Sequence, residues 1–153
     1  MNLPDDWLEQ LRTNYPRRNG AQGWAALKRL VPRAIAEGST FDELLTGAKA
    51  YKLYNDRIGK TGTEFVKTAE VFFGRGEWWK EYAEMATSER ADNLKTRARA
   101  LGFGKVSEEL MLDLDALEAK LTGIAKQREA ADKAREISTR KLDISELAAR
   151  VRV

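Results

Sequence analysis

Residues 57–65 read Arg-Ile-Gly-Lys-Thr-Gly-Thr-Glu-Phe, and the Gly-Lys-Thr at positions 59–61 decides the fold class. If it is a phosphate-binding loop, a buried strand precedes it, a helix follows it, and the chain is an α/β nucleotide hydrolase. Such a loop wraps phosphates with its backbone amides and needs a second glycine upstream, which in this chain would stand at position 54. That position is Tyr54. The stretch ahead of the loop also has helical rather than strand spacing, with Phe41, Leu44, Leu45, Ala48, Tyr51 and Leu53 or Tyr54 as its apolar positions. The phosphate-loop reading fails on both counts. What remains is a loop in which Thr61 or Thr63 caps a helix beginning near Glu64. Lys60, beside the free amides of such a helix start, is a candidate contact to a nucleic-acid phosphate.

Upstream, Asp5 or Asp6 can cap a helix that runs to about Asn14, with Trp7, Leu8 and Leu11 on one face. Tyr15-Pro16 ends it, because a residue before proline avoids the helical region. Gly20 and Gly23 flank a turn. A helix carrying Trp24, Leu27, Leu30 and Val31 follows, with a kink or a break expected at Pro32. Gly38 ends the next turn, and Ser39 or Thr40 caps the helix before the Gly-Lys-Thr loop. Downstream, the spacing predicts a helix from Thr63 with Phe65, Val66, Ala69, Phe72 and Phe73, punctuated by Gly74 and Gly76.

All tryptophans and tyrosines precede Ala83, and Phe103 is the sole aromatic after it. This shift divides the chain into an aromatic-rich part, residues 1–82, and a charged part, residues 83–153. The second part reads as a helical hairpin or coiled-coil-like arm. Residues 93–101 are helical, and Gly102 is placed to end them. Ser107 caps a long helix with a heptad seam of Leu110, Leu114, Leu117, Leu121 and Ile124. That seam suits packing within the chain or a homodimer equally. Asp143-Ile-Ser-Glu146 resembles a capping box for a short last helix. The fold class is all-α: a compact helical bundle followed by a hairpin or arm.

The chain has no cysteine and no histidine, which removes thiolate chemistry, the commonest general base and the commonest metal ligand. No carboxylate spacing marks a dedicated metal site, and no cofactor is expected. No apolar run approaches the length of a membrane span, and the first residues do not form a signal peptide, so the expected location is the cytoplasm. The net charge of +3 is too small to identify an anionic partner. Its distribution is more telling. Between Glu9 and Glu37 there is no acid, while Arg12, Arg17, Arg18, Lys28, Arg29 and Arg33 all fall there. This is a candidate phosphate footprint, with acids such as Asp42, Glu43 or Glu70 as its alternative partners. Tyr15 is a candidate for stacking on bases. Trp78 and Trp79 are adjacent, so both cannot face one core, and they are candidate partner contacts together with Leu110, Leu114, Leu117 and Leu121.

The order of Trp7, YPRRNG (15–20), GWAALKRLV (23–31), LLTGAKAY (44–51), GTEFVKTAEVFFG (62–74) and WWKEY (78–82) resembles a small module of phage and prophage replication proteins, of the initiator or helicase-loader type. The resemblance implies DNA replication in a host bacterial cytoplasm and a binding role, and it supplies no catalytic residue. The expected function is thus a non-enzymatic replication accessory that binds DNA, single-stranded or without sequence preference, and contacts a helicase or another replication protein. Arg17, Arg18, Lys28, Arg29, Arg33 and Lys60 would meet phosphates. The alternative is a phage protein that binds and inhibits or redirects a host complex such as a defence nuclease or polymerase. A phage structural or assembly protein is a third reading, supported by the helical arm.

Overall fold

Helix α1 (Trp7–Thr13) stops just before Tyr15-Pro16, and Lys52 Nζ donates to the Thr13 carbonyl at 2.9 Å, satisfying one of its last-turn acceptors. Asp6 stands at the N-cap but does not cap with its side chain; its carboxylate instead accepts from Gln10 Nε2 at 2.8 Å. The computed structural model describes residues 3–103, 111 and 113–150, and among these it contains helices and no strand.

Helix α2 (Trp24–Ala36) starts from Gly23, whose φ of 73° few other residues would adopt. It runs through Pro32 without the break expected there. Pro32 lies on the exposed side, where water can solvate the carbonyl that loses its partner, while Leu27, Val31 and Ala34 hold the opposite side in the core. Gly38 ends this helix: its N–H reaches the Ile35 carbonyl and the Ser39 N–H reaches the Ala34 carbonyl, the paired bonds of a glycine stop.

Helix α3 (Phe41–Arg57) opens with a capping box. Thr40 Oγ1 accepts from the Glu43 N–H at 3.2 Å, and Glu43 Oε2 accepts from the Thr40 N–H at 2.8 Å. At the other end the Gly59 N–H bonds to the Asp56 carbonyl and the Lys60 N–H to the Asn55 carbonyl. Gly59 and Lys60 therefore end a helix, and their amides are already engaged.

The helix expected from Thr63 is not formed. Residues 61–68 are turns and extended backbone, and α4 spans only Ala69–Phe72, capped by Thr68 Oγ1 accepting from the Val71 N–H. The competing partners come from far along the chain. The Gly62 N–H donates to the Arg17 carbonyl at 2.8 Å and the Asn19 N–H to the Thr63 carbonyl at 3.2 Å. The Ala69 N–H donates to the Gln22 carbonyl at 2.8 Å. The loop after α1 and the loop after α3 are thus paired backbone to backbone. Phe65, counted above as apolar helix face, is 70% exposed.

Helix α5 (Trp78–Ala100) is continuous, so residues 93–101 extend the helix that Trp78 begins and do not form a separate one. No glycine or proline interrupts residues 77–101. Gly102, at φ 82°, closes it: its own N–H bonds to the Arg99 carbonyl and the Phe103 N–H to the Ala98 carbonyl. Helix α6 (Leu114–Arg150) also passes through residues 143–146 without a break, so the expected short last helix is part of a longer one. That stretch has no glycine or proline to stop it. Ser107 and Leu110 lie outside the described residues.

The chain divides into two compact units, residues 1–89 and 90–153. The first is a bundle built around rings. Tyr15 sits 5.3 Å from Phe72, 5.6 Å from both Trp24 and Tyr51, and 6.0 Å from Phe73, centroid to centroid. Tyr51 stacks on Phe72 at 4.7 Å and meets Tyr82 edge-on at 4.9 Å. Trp79, Leu11, Leu27 and Leu44 complete this core. In the second unit Leu94 and Ala98 of α5 pack with Leu117 and Leu121 of α6, bordered by Leu101, Met111 and Leu114. Arg90 bridges Asp115 and Glu118, each at 2.6 Å.

Burial pushes the Tyr15 phenol well above its ordinary value, and burial followed by the neighbouring Tyr51 and Tyr54 pushes Tyr82 up to about 12. A raised phenol stabilises the fold while it is neutral. That contribution is complete below the unfolded value of 10.0 and is lost as pH rises from there towards about 12. We expect thermal melts followed by circular dichroism to shift downward above about pH 10, with tyrosinate absorbance appearing together with unfolding. A Tyr82→Phe variant should show a weaker dependence. A melt unchanged up to about pH 12 would contradict this.

Candidate nucleic-acid interface

The acid-free stretch folds into two basic regions of the first unit. The first is the outer side of α2. Lys28, Arg29 and Arg33 are exposed around Pro32, because the three- and four-residue spacing of Leu27, Val31 and Ala34 fixes the other side in the core. Arg33 Nε donates to Glu37 Oε1 at 2.7 Å. Among the described residues Lys28 and Arg29 have no carboxylate within ion-pair distance. Arg12 extends this region, 5.7 Å above the Trp24 ring at the start of α2, and sits 4.0 Å from Glu9.

The second region is the loop pair. Arg17 and Lys60 are both exposed, and each has its backbone tied into the pairing, Arg17 by accepting from Gly62 and Lys60 by accepting from Thr63. Neither side chain has an acidic partner among the described residues. Arg18 is different. Its Nε donates to the Val66 carbonyl at 2.8 Å and Nη1 to the Asn19 carbonyl at 2.9 Å. One of these bonds ties the first loop to the second, so Arg18 serves the fold with part of its guanidinium and is not the wholly free phosphate contact expected of it.

Two of the expected aromatic contacts are also corrected. Tyr15 is 2% exposed, and its hydroxyl donates to the Lys67 carbonyl at 2.9 Å. The Lys67 N–H in turn donates to the Tyr51 hydroxyl at 2.8 Å. Enclosed by four rings, Tyr15 cannot stack on a base. Trp79 is likewise 2% exposed and belongs to the core, whereas Trp78 is 39% exposed with Lys67 Nζ lying 4.2 Å from its ring centroid. The pair thus divides as adjacent helical positions must. Leu117 and Leu121 are buried within the second unit, so the seam packs inside the chain there; Leu114 borders the same cluster.

A further cation joins the α2 region unannounced by the sequence. Arg75 lies in the Gly74-Arg-Gly76 turn before α5 and is exposed. With Arg33, Leu30 and Gly74 it lines two adjoining hollows of about 250 Å³ and 340 Å³, the larger of which also takes Arg29. Glu77 stands in this turn with a φ of 45°, unusual for a residue with a side chain. It is fixed there by its N–H bonding to the Gly74 carbonyl and by a 2.8 Å ion pair to Lys80. The flanking glycines were the available signal for an exposed arginine; its position opposite α2 comes from tertiary packing.

Among the described residues no group of acids could hold a metal ion, and no helix is long and apolar enough to cross a membrane. Comparison of the chain with protein-family models, with curated proteins and with solved structures found no match.

Proposed function

We propose that this chain is a non-enzymatic DNA-binding protein of the replication-accessory kind found in phages, acting in the bacterial cytoplasm beside a helicase or another replication protein. What supports DNA binding is the set of exposed cations without acidic partners among the described residues: Lys28 and Arg29 on α2, Arg17 and Lys60 on the loop pair. Phosphate contacts of this type fix a protein on nucleic acid without reading sequence. Binding without strong sequence preference is expected from such contacts. The replication context rests on the resemblance of residues 7–82 and on nothing else.

Fluorescence anisotropy with labelled single- and double-stranded oligonucleotides tests this. Binding should be salt-sensitive, with a log–log slope of about −0.7 for each phosphate contact to a single strand. A Lys28→Glu/Arg29→Glu variant should bind at least about tenfold more weakly at low salt while melting like the parent. Absence of binding at low salt would sink the proposal.

A second reading, a protein that inhibits or redirects a host complex, is favoured by the large apolar side chains left exposed on α3, just after it and on α5: Tyr54, Ile58, Trp78 and Met85. A packed protein interface of that kind would depend far less on salt.

A further inference from the structure

The hollow between α2 and the turn at residues 73–77 gathers more positive charge than a passing phosphodiester requires. Arg29, Arg33 and Arg75 line it, and Glu70 is its one carboxylate. No ion pair joins Glu70 to any of the three. Glu37 takes only the Nε of Arg33, which leaves the terminal amino groups of that guanidinium for another acceptor. Arg29 and Arg75 have no acidic partner among the described residues, so the like charges that line this hollow repel. An anion placed between them would relieve that repulsion and accept charge-assisted hydrogen bonds from planar donors.

An internal phosphodiester carries one negative charge and continues into sugar on both sides. A phosphomonoester carries nearly two at neutral pH and ends in three free oxygens. A bounded hollow of about 340 Å³ with three guanidiniums suits the second better than the first. We infer that this hollow seats the terminal phosphate of a DNA strand. The inference rests on the DNA-binding reading above and adds to it a preference for strand ends, with Arg75, which the outer face of α2 does not include, as the residue specific to the seat.

The test compares one oligonucleotide in three forms: 5′-phosphorylated, 3′-phosphorylated and hydroxyl-ended. Each is titrated against the full chain and against Arg75→Ala. The full chain should bind one or both phosphorylated forms about tenfold more tightly than the hydroxyl-ended form. In Arg75→Ala the ratio of affinities for the phosphorylated and hydroxyl-ended forms should fall to about one, with the melting curve unaltered. A free deoxynucleoside monophosphate should compete for the phosphorylated form alone. Equal binding of all three forms by the full chain would overturn the seat and leave the DNA-binding proposal standing. A preference that survives in Arg75→Ala would overturn the location. No binding of any form would overturn both.

Discussion

Replacing Trp79 with alanine should destabilise the first unit by about 3–5 kcal/mol, and replacing Trp78 with alanine by less than about 1 kcal/mol. The two residues are neighbours with the same side chain, so their intrinsic helix propensities cancel from the comparison. Burial makes the difference. Trp79 is 2% exposed and among the largest fully enclosed side chains of the core, whereas Trp78 is 39% exposed. Removing the Trp79 indole loses the transfer free energy of its apolar surface and leaves a void in the core. Removing Trp78 costs its cation–π contact with Lys67 and partial burial. Urea denaturation of both variants followed by circular dichroism checks this. Equal losses would mean that Trp79 is not the core residue of the pair.

A Gly47→Ala substitution should cost about 1–3 kcal/mol despite improving helix propensity. In an exposed helix interior, alanine in place of glycine would gain about 1 kcal/mol. At this position an added Cβ would lie well inside van der Waals contact of the Trp79 carbonyl oxygen. That neighbour is backbone in the first turn of α5 and cannot rotate away, so α3 and α5 would have to move apart. The steric term therefore exceeds the propensity term, and a larger residue at 47 should cost more. Gly123, where a Cβ would meet nothing, is the control: Gly123→Ala should be neutral or stabilising. A stabilised Gly47→Ala protein would show that the two helices do not approach so closely.

The sequence disclosed those features whose causes are local. A cap at Ser39 or Thr40, of which the structure uses Thr40, the stop at Gly102 and the dual character of Trp78-Trp79 are each contained in a few adjacent residues. It did not disclose features decided by distant partners. The spacing of Phe65, Val66, Ala69 and Phe72 suits a helix, yet backbone groups at 17, 19 and 22 outcompete helix formation along 61–68. Arg18, standing beside Pro16-Arg17, reads as one more exposed cation until Val66 arrives to accept from it. Pro32 reads as a helix breaker because its cost is visible locally, while the packing of Leu27, Val31 and Ala34 that overrides it is not. The candidate site shows the same division. Lys28, Arg29 and Arg33 follow from an acid-free stretch, but Arg75 joins them only through the fold.

The paired loops set a condition on the basic surface. Helices α1, α2 and α3 can each form from contacts within themselves, whereas the bonds from Gly62 to Arg17 and from Asn19 to Thr63 require the chain to have returned on itself. An unfolded chain carries the same net charge of +3 as the native one. What it lacks is the spacing between Arg17 and Lys60, which exists only after that return. A nascent or unfolded chain could be drawn to any polyanion by charge alone, but only the completed bundle holds those two charges at a fixed separation.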